Sequence, residues 1–155
     1  MTTGDGEIIV RAEKLTKDLD TSEGFVDALL GSAKKVKAVE GVDCELQEGE
    51  TLGVVGESGC GKSTLARTIL RLLEPTEGSI YFKGTDLADL SGERLRSTRK
   101  DVQMIFQDPQ SSLDPRMKVG KIVEEPMQAH GMLDSEGRAA RAQELLEKVG
   151  LDPQH

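Results

Sequence analysis

The stretch Gly56-Glu57-Ser58-Gly59-Cys60-Gly61-Lys62-Ser63-Thr64 constrains this chain more than any other. It satisfies G-x-x-x-x-G-K-[ST] at every fixed position, a pattern whose glycines and lysine cradle phosphate groups. The flanks suit it. Thr51-Leu52-Gly53-Val54-Val55 is a short apolar run of the kind that forms a buried parallel strand, and Leu65, Ile69, Leu70, Leu72 and Leu73 recur at helical spacing. Strand, glycine-rich turn and helix is the architecture such a loop requires.

The chemistry follows from the parts. Glycines admit positive φ and close approach of the backbone to an anion. The amides of Gly59, Cys60, Gly61, Lys62 and Ser63 can then form an anion nest, reinforced by the unpaired N–H groups at the start of the following helix. Lys62 is expected to reach the β- and γ-phosphates, and the Ser63 hydroxyl to ligate Mg²⁺. The candidate nucleotide-binding residues are Gly56, Ser58, Gly59, Cys60, Gly61, Lys62, Ser63 and Thr64, with ATP and Mg²⁺ as the implied cofactors.

Bulk properties narrow the class. A chain of 155 residues reads as one domain by default. Its formal charge of −8 argues against a surface that coats nucleic acid. No run approaches the ~18 apolar residues of a membrane span, and Met1 to Glu7 lacks the pattern of a signal peptide. Cys44 and Cys60 give neither zinc spacing nor a disulfide framework; Cys44 alternates with Val42 and Leu46 as a buried strand residue would, and the compartment reads as reducing and cytoplasmic.

Along the chain, Ile8, Val10 and Ala12 alternate with polar residues and predict a first strand over 6–13. Thr16 to Lys35 reads as a surface excursion, and Val36 to Leu46 as one or two strands interrupted at Gly41. These strands, before the loop, suggest an antiparallel sheet beside an α/β core. Ser79 to Lys83 and Asp101 to Phe106 predict further strands, and Ser91 can cap a polar helix from Gly92 to Lys100. Val119, Ile122 and Val123 suggest a short helix that Pro126 ends or kinks. Asp134 or Ser135 caps a last helix whose apolar face is Ala139, Ala142, Leu145, Leu146 and Val149, closed by Gly150.

In this order the landmarks resemble the ATP-binding cassette subunits of membrane transporters, over almost the whole chain. Glu50 to Thr64 looks like the cassette phosphate loop with its leading strand. Val102-Gln103-Met104-Ile105-Phe106-Gln107-Asp108-Pro109-Gln110-Ser111-Ser112-Leu113-Asp114-Pro115-Arg116 looks like the glutamine loop in the form typical of oligopeptide and dipeptide importers. The resemblance implies an α/β fold: a P-loop NTPase core of mostly parallel sheet with flanking helices, plus an N-terminal antiparallel β subdomain, truncated before the later core strands. It implies an antiparallel subdomain at 6–50, the P-loop core at 51–109, and the start of a helical subdomain at 110–155.

It further implies ATP-driven import of peptides or a related solute such as nickel, at the cytoplasmic face of the membrane. Gln107 becomes the candidate catalytic residue, contacting Mg²⁺ or the attacking water. Asp108 to Arg116 would meet the membrane subunits, and a second cassette, identical or not, would complete the assembly.

The sequence departs from that family in two respects. The place where the family stacks adenine on an aromatic reads Lys14-Leu15-Thr16-Lys17-Asp18-Leu19-Asp20, with no aromatic; Phe25 could substitute if the excursion folds back, but reads rather as a surface or packing residue. The aspartate–glutamate strand, signature loop and switch histidine have no counterpart within these residues. Leu90 to Arg94 mimics the signature at the wrong place and reads as a helix cap; Ile122 to Pro126 mimics the acidic strand and reads as a solvated helix end. The expectation is Mg-ATP binding with little or no turnover by this chain alone, and marginal stability or self-association. The alternative is a non-catalytic truncated cassette acting as an interaction or regulatory module. A soluble P-loop kinase or GTPase would need a guanine-reading N-K-x-D element, which the sequence lacks.

Overall fold

The computed structural model describes residues 6–20, 35–108 and 112–152, and the chain divides into two compact units at Leu95/Arg96. In the first unit, four antiparallel strands form a sheet in the order β2-β1-β3-β4: β1 (Ile8–Asp20), β2 (Lys35–Gln47), β3 (Glu77–Phe82) and β4 (Thr85–Asp86). The helix α1 (Lys62–Ile69) lies between β2 and β3 in sequence.

β1 is longer than its alternation predicts, and a bulge explains why. Ala12 and Leu15 are both buried, although three residues apart they fall out of phase with a two-residue period. The register against β2 shifts between Ala12 and Leu15, and that against β3 between Glu13 and Thr16. Lys14 takes the extra step in the left-handed region at φ 47°, and its amide donates to Asp43 Oδ1 at 2.7 Å. Opposite the bulge, Gly78 has φ 88°, and a Cβ there would lie 2.5 Å from the carbonyl oxygens of Glu13 and Lys14. Only glycine closes the sheet at this point.

β2 runs unbroken through Gly41, which takes φ 58° while its amide donates to Thr16 Oγ1 at 3.0 Å. The interruption expected there is a local twist within one strand. Glu48 to Glu50 turns as expected, the Glu50 amide donating to the Gln47 carbonyl.

The core of this unit is Ala12, Leu15, Ile80, Leu87 and Leu90, with Cys44, Leu65, Ile69, Phe82 and Leu95 packed against it. Leu15 and Ile80 are fully enclosed, each contributing roughly 1.5–3 kcal/mol by burial. Cys44 is half-buried there, as its alternation suggested, and burial pushes its thiol above the ordinary range. Arg71 fastens the end of α1: its Nε donates to the Leu87 carbonyl at 3.2 Å, and its guanidinium pairs with Glu74 at 3.1 Å.

Two expectations fail in an informative way. Thr51 to Val55 and Asp101 to Phe106 pair with no strand among the described residues. Val55 is 93% exposed and Ile105 94%. Both runs carry strand-forming residues, and Thr51 to Val55 has the composition of a strand buried on two faces. A strand exists only by hydrogen bonding to a neighbour, and the described residues place none beside either segment.

The helix α2 (Gly92–Thr98) straddles the division between units, ending two residues short of the predicted Lys100. The second unit is built on α3 (Val119–Ala129) and α4 (Ser135–Lys148), which pack as a hairpin through Met127, Ala142 and Leu146. Asp134 caps α4, its Oδ1 accepting from the Gly137 amide at 2.8 Å. The predicted apolar face is partly corrected: Ala139 is exposed, and Val149 lies past the helix and is 70% exposed. α3 continues past Pro126 to Ala129. Ile122 to Pro126 is therefore helix interior rather than a solvated end, and Glu124 is buried beside Lys121 at 2.8 Å.

Candidate functional site

The phosphate loop lies wholly in the first unit, between the edge of β2 and the start of α1. Its conformation depends on glycine. Gly59 and Gly61 have φ 83° and 96°, both left-handed. Gly61 is also the N-cap of α1, and a Cβ on it would collide with the carbonyl oxygen of Ala38 in β2. The loop is thus pressed against a strand edge at the residue where the helix begins. Gly61 meets two demands at once, a positive φ and a missing side chain.

The helix makes the site electropositive. α1 has no side-chain N-cap, and its first intrahelical bond runs from the Leu65 amide to the Gly61 carbonyl at 2.8 Å. The amides of Lys62, Ser63 and Thr64 therefore have no partner within the helix and project at its positive end. Ser63 is exposed there, its hydroxyl at the second helical position. Behind it, Thr68 is fully buried and its hydroxyl donates to the Thr64 carbonyl at 2.7 Å, holding the first turns together.

Lys62 folds back over the loop. Its ammonium donates to the carbonyls of Gly56 at 2.8 Å and Glu57 at 2.6 Å, with Cys60 Sγ at 3.7 Å. The Cys60 amide meanwhile reaches the Glu57 carbonyl at 3.4 Å. The structure thus brings Gly56, Ser58, Gly59, Cys60, Gly61, Lys62, Ser63 and Thr64 into one turn with a cation across its mouth. Glycine-rich amides, a helix start, a lysine and an exposed hydroxyl are the donor set that a polyphosphate with its magnesium ion requires.

A cavity of ≈ 220 Å³ opens beside the loop, lined by Ala38, Val39, Glu40 and Val42 of β2, by Val54 and Val55, and by Cys60, Gly61, Lys62 and Leu65. Sequence reasoning missed the β2 part of this wall. The signal for it is the close approach of Gly61 to Ala38, which needs the folded backbone to be seen.

Gln107 belongs to the second unit, where it is exposed and follows Phe106 at a bend. After it, Ser112 Oγ donates to the Asp108 carbonyl at 3.0 Å, and Asp114 Oδ1 accepts from the Arg116 amide at 2.9 Å. Residues 109–111 of the expected docking segment, and Phe25, lie outside the described residues. No group of three or more histidine, cysteine or acidic side chains suited to a metal occurs among the described residues. No described helix is long and apolar enough to cross a membrane.

Comparison with known proteins agrees with this geometry. The chain is 47% identical over 154 residues to the oligopeptide transport ATP-binding protein AppF of Bacillus subtilis, an alignment covering 99% of this chain and 46% of that protein. It is 44% identical over 154 residues to the glutathione import ATP-binding protein GsiA of Escherichia coli, covering 99% of this chain and 24% of that protein. The chain therefore spans less than half the length of these relatives. Among solved structures, the dimeric, ADP- and phosphate-bound ATP-binding cassette MJ0796 superposes with a TM-score of 0.73 at 30% identity, covering 92% of this chain and 58% of that one. CbiO1 of Clostridium perfringens, at TM-score 0.67 and 24% identity over 94% of this chain and 51% of that one, shares the fold. The fold is that of a P-loop NTPase cassette with an N-terminal antiparallel sheet, and the family described as ABC transporter matches residues 39–155. The chain belongs to the ABC transporter family.

Proposed function

We propose that this chain binds Mg-ATP as part of the nucleotide-binding subunit that energises import of oligopeptides, dipeptides or a related small solute. The observation that carries the reading is the loop itself, with left-handed glycines, an uncapped helix start and the Lys62 ammonium meeting at one point. The 47% identity to an oligopeptide transport ATP-binding protein supports the substrate class.

In this reading the loop amides and the first N–H groups of α1 bind the phosphates. Lys62 exchanges the Gly56 and Glu57 carbonyls for the β- and γ-phosphate oxygens, and Ser63 holds Mg²⁺. The metal supplies charge neutralisation on the phosphates when bound. Gln107 serves as the γ-phosphate sensor. The division of the chain at 50 and 109 belongs to the same proposal. So do docking to membrane subunits through Asp108 to Arg116, pairing with a second cassette, and placement at the cytoplasmic face of the membrane.

Titration calorimetry with Mg-ATP tests the proposal. Lys62→Ala is expected to weaken binding by about 10- to 100-fold, the worth of a charge-assisted donor to phosphate. Unchanged affinity in that variant would remove the assignment.

A further inference from the structure

The wall against which the phosphate loop is shaped belongs to β2, and a residue of β1 sets the path of that strand. The importance of that residue rests on the nucleotide-binding reading above. Leu15 of β1 faces Val42 of β2 and Lys17 faces Val39, so Thr16 alone stands opposite two residues, Glu40 and Gly41. That is a bulge in β2. A second extra residue follows at once, because Asp18 faces Lys37 and Ala38 is left without a counterpart. Ala38 is the residue whose carbonyl oxygen meets Gly61, the glycine at which the phosphate loop becomes α1.

Thr16 holds the first bulge. It is 8% exposed, and its hydroxyl accepts from the Gly41 amide at 3.0 Å while donating to the Lys14 carbonyl at 3.4 Å. Both capacities of the hydroxyl are thus used. The Thr16 carbonyl accepts from the Thr76 amide at 2.8 Å, which pins its backbone from the other side. Where a bulge interrupts the ladder, an amide needs another acceptor, and here a side chain supplies it. The bond holds Gly41 at φ 58°. Gly41 is itself exposed, so without the hydroxyl its amide turns to water, and glycine has many other conformations open to it. Residues 38–40 follow directly from that twist, and the direction of the Ala38 carbonyl follows with them.

We infer that Thr16 is a positioning residue for phosphate binding: its hydroxyl fixes the β2 bulge that presents the Ala38 carbonyl to Gly61, and so keeps the phosphate loop in its binding shape. An apparent affinity falls with the fraction of molecules that hold the competent shape. Re-forming the bulge draws on binding by no more than the net worth of one hydrogen bond, roughly three- to tenfold in affinity.

Calorimetric titration of the full chain with the magnesium complexes of ATP and inorganic tripolyphosphate tests this. Thr16→Val keeps the shape of the side chain and removes the hydroxyl; it is expected to weaken both ligands by the same factor, about three- to tenfold. Thr16→Ser restores the hydroxyl and should return both affinities to within about twofold. Ile80→Val, a methyl group lost from the core on β3, should destabilise the chain and leave both affinities unchanged. Undiminished affinity in folded Thr16→Val, no rescue by serine, or an equal loss in Ile80→Val would each overturn the inference. So would a loss confined to Mg-ATP, which would place the effect at the nucleoside. Should Thr16→Val fail to fold, hydrogen exchange of the unaltered chain decides: coupling is reciprocal, so ligand must slow exchange at the Gly41 amide, and an unchanged rate overturns the inference. If the unaltered chain binds neither ligand, the nucleotide-binding proposal itself falls and takes this inference with it.

Discussion

Ile80 in β3 and Val55 before the phosphate loop both belong to short runs that carry strand-forming residues, Ile80-Tyr81-Phe82 in one and Val54-Val55 in the other. Ile80 is fully enclosed and Val55 is 93% exposed. The difference is one of neighbours. β3 pairs with β1 on one edge and β4 on the other, and its inward side chains meet Leu15, Leu87 and Leu90. The run from Thr51 to Val55 has the side chains of a buried strand and no hydrogen-bonded partner among the described residues. Strand propensity describes what a segment suits; pairing decides what it becomes.

The comparison can be broken by truncating each side. Ile80→Ala should destabilise the first unit by about 2–5 kcal/mol in urea unfolding, the range for an enclosed aliphatic, and a cost below ~1 kcal/mol would refute the core assignment. Gly78→Ala follows, at about 2 kcal/mol or more, because a left-handed φ and a collision with the Glu13 and Lys14 carbonyls act together. Val55→Ala should change stability by less than ~0.5 kcal/mol, and a large loss would show that this segment is covered in solution.

The smallest effect concerns the second unit. Lys148 and Arg141 hold the exposed Glu144 carboxyl down to about 2. A depressed folded pKa stabilises above the unfolded value and is lost as pH falls toward the folded one. Helix stability should therefore decline slightly between about pH 4.5 and pH 2, and Glu144→Gln should flatten that part of a circular dichroism titration.

Most of the site is written in local sequence. The phosphate loop, the start of α1 and the Asp134 cap each depend on residues within a few positions, and each was legible. The β1 bulge was not, because Leu15 is out of phase with Ile8, Val10 and Ala12, and alternation alone therefore ended the strand at residue 13. Continuity of β2 through Gly41 depends on a hydrogen bond to Thr16, 25 residues away in sequence. The missing N–H of Pro126 is a local signal for an end or a kink, whereas α3 runs on to Ala129 with Met127 buried, which depends on packing that local sequence does not show. The β2 wall of the cavity likewise comes from tertiary approach of two distant backbones.

The meeting of Gly61 with the Ala38 carbonyl has a genetic consequence. The β2 side of that contact is main chain, so most changes at position 38 leave it in place, and a scan of side chains there would score the position as tolerant. The same contact makes position 61 intolerant of every replacement, alanine included. Two touching positions would thus show opposite mutational profiles and little covariation, and a search for coupled substitutions would overlook the strand edge against which the phosphate loop is shaped.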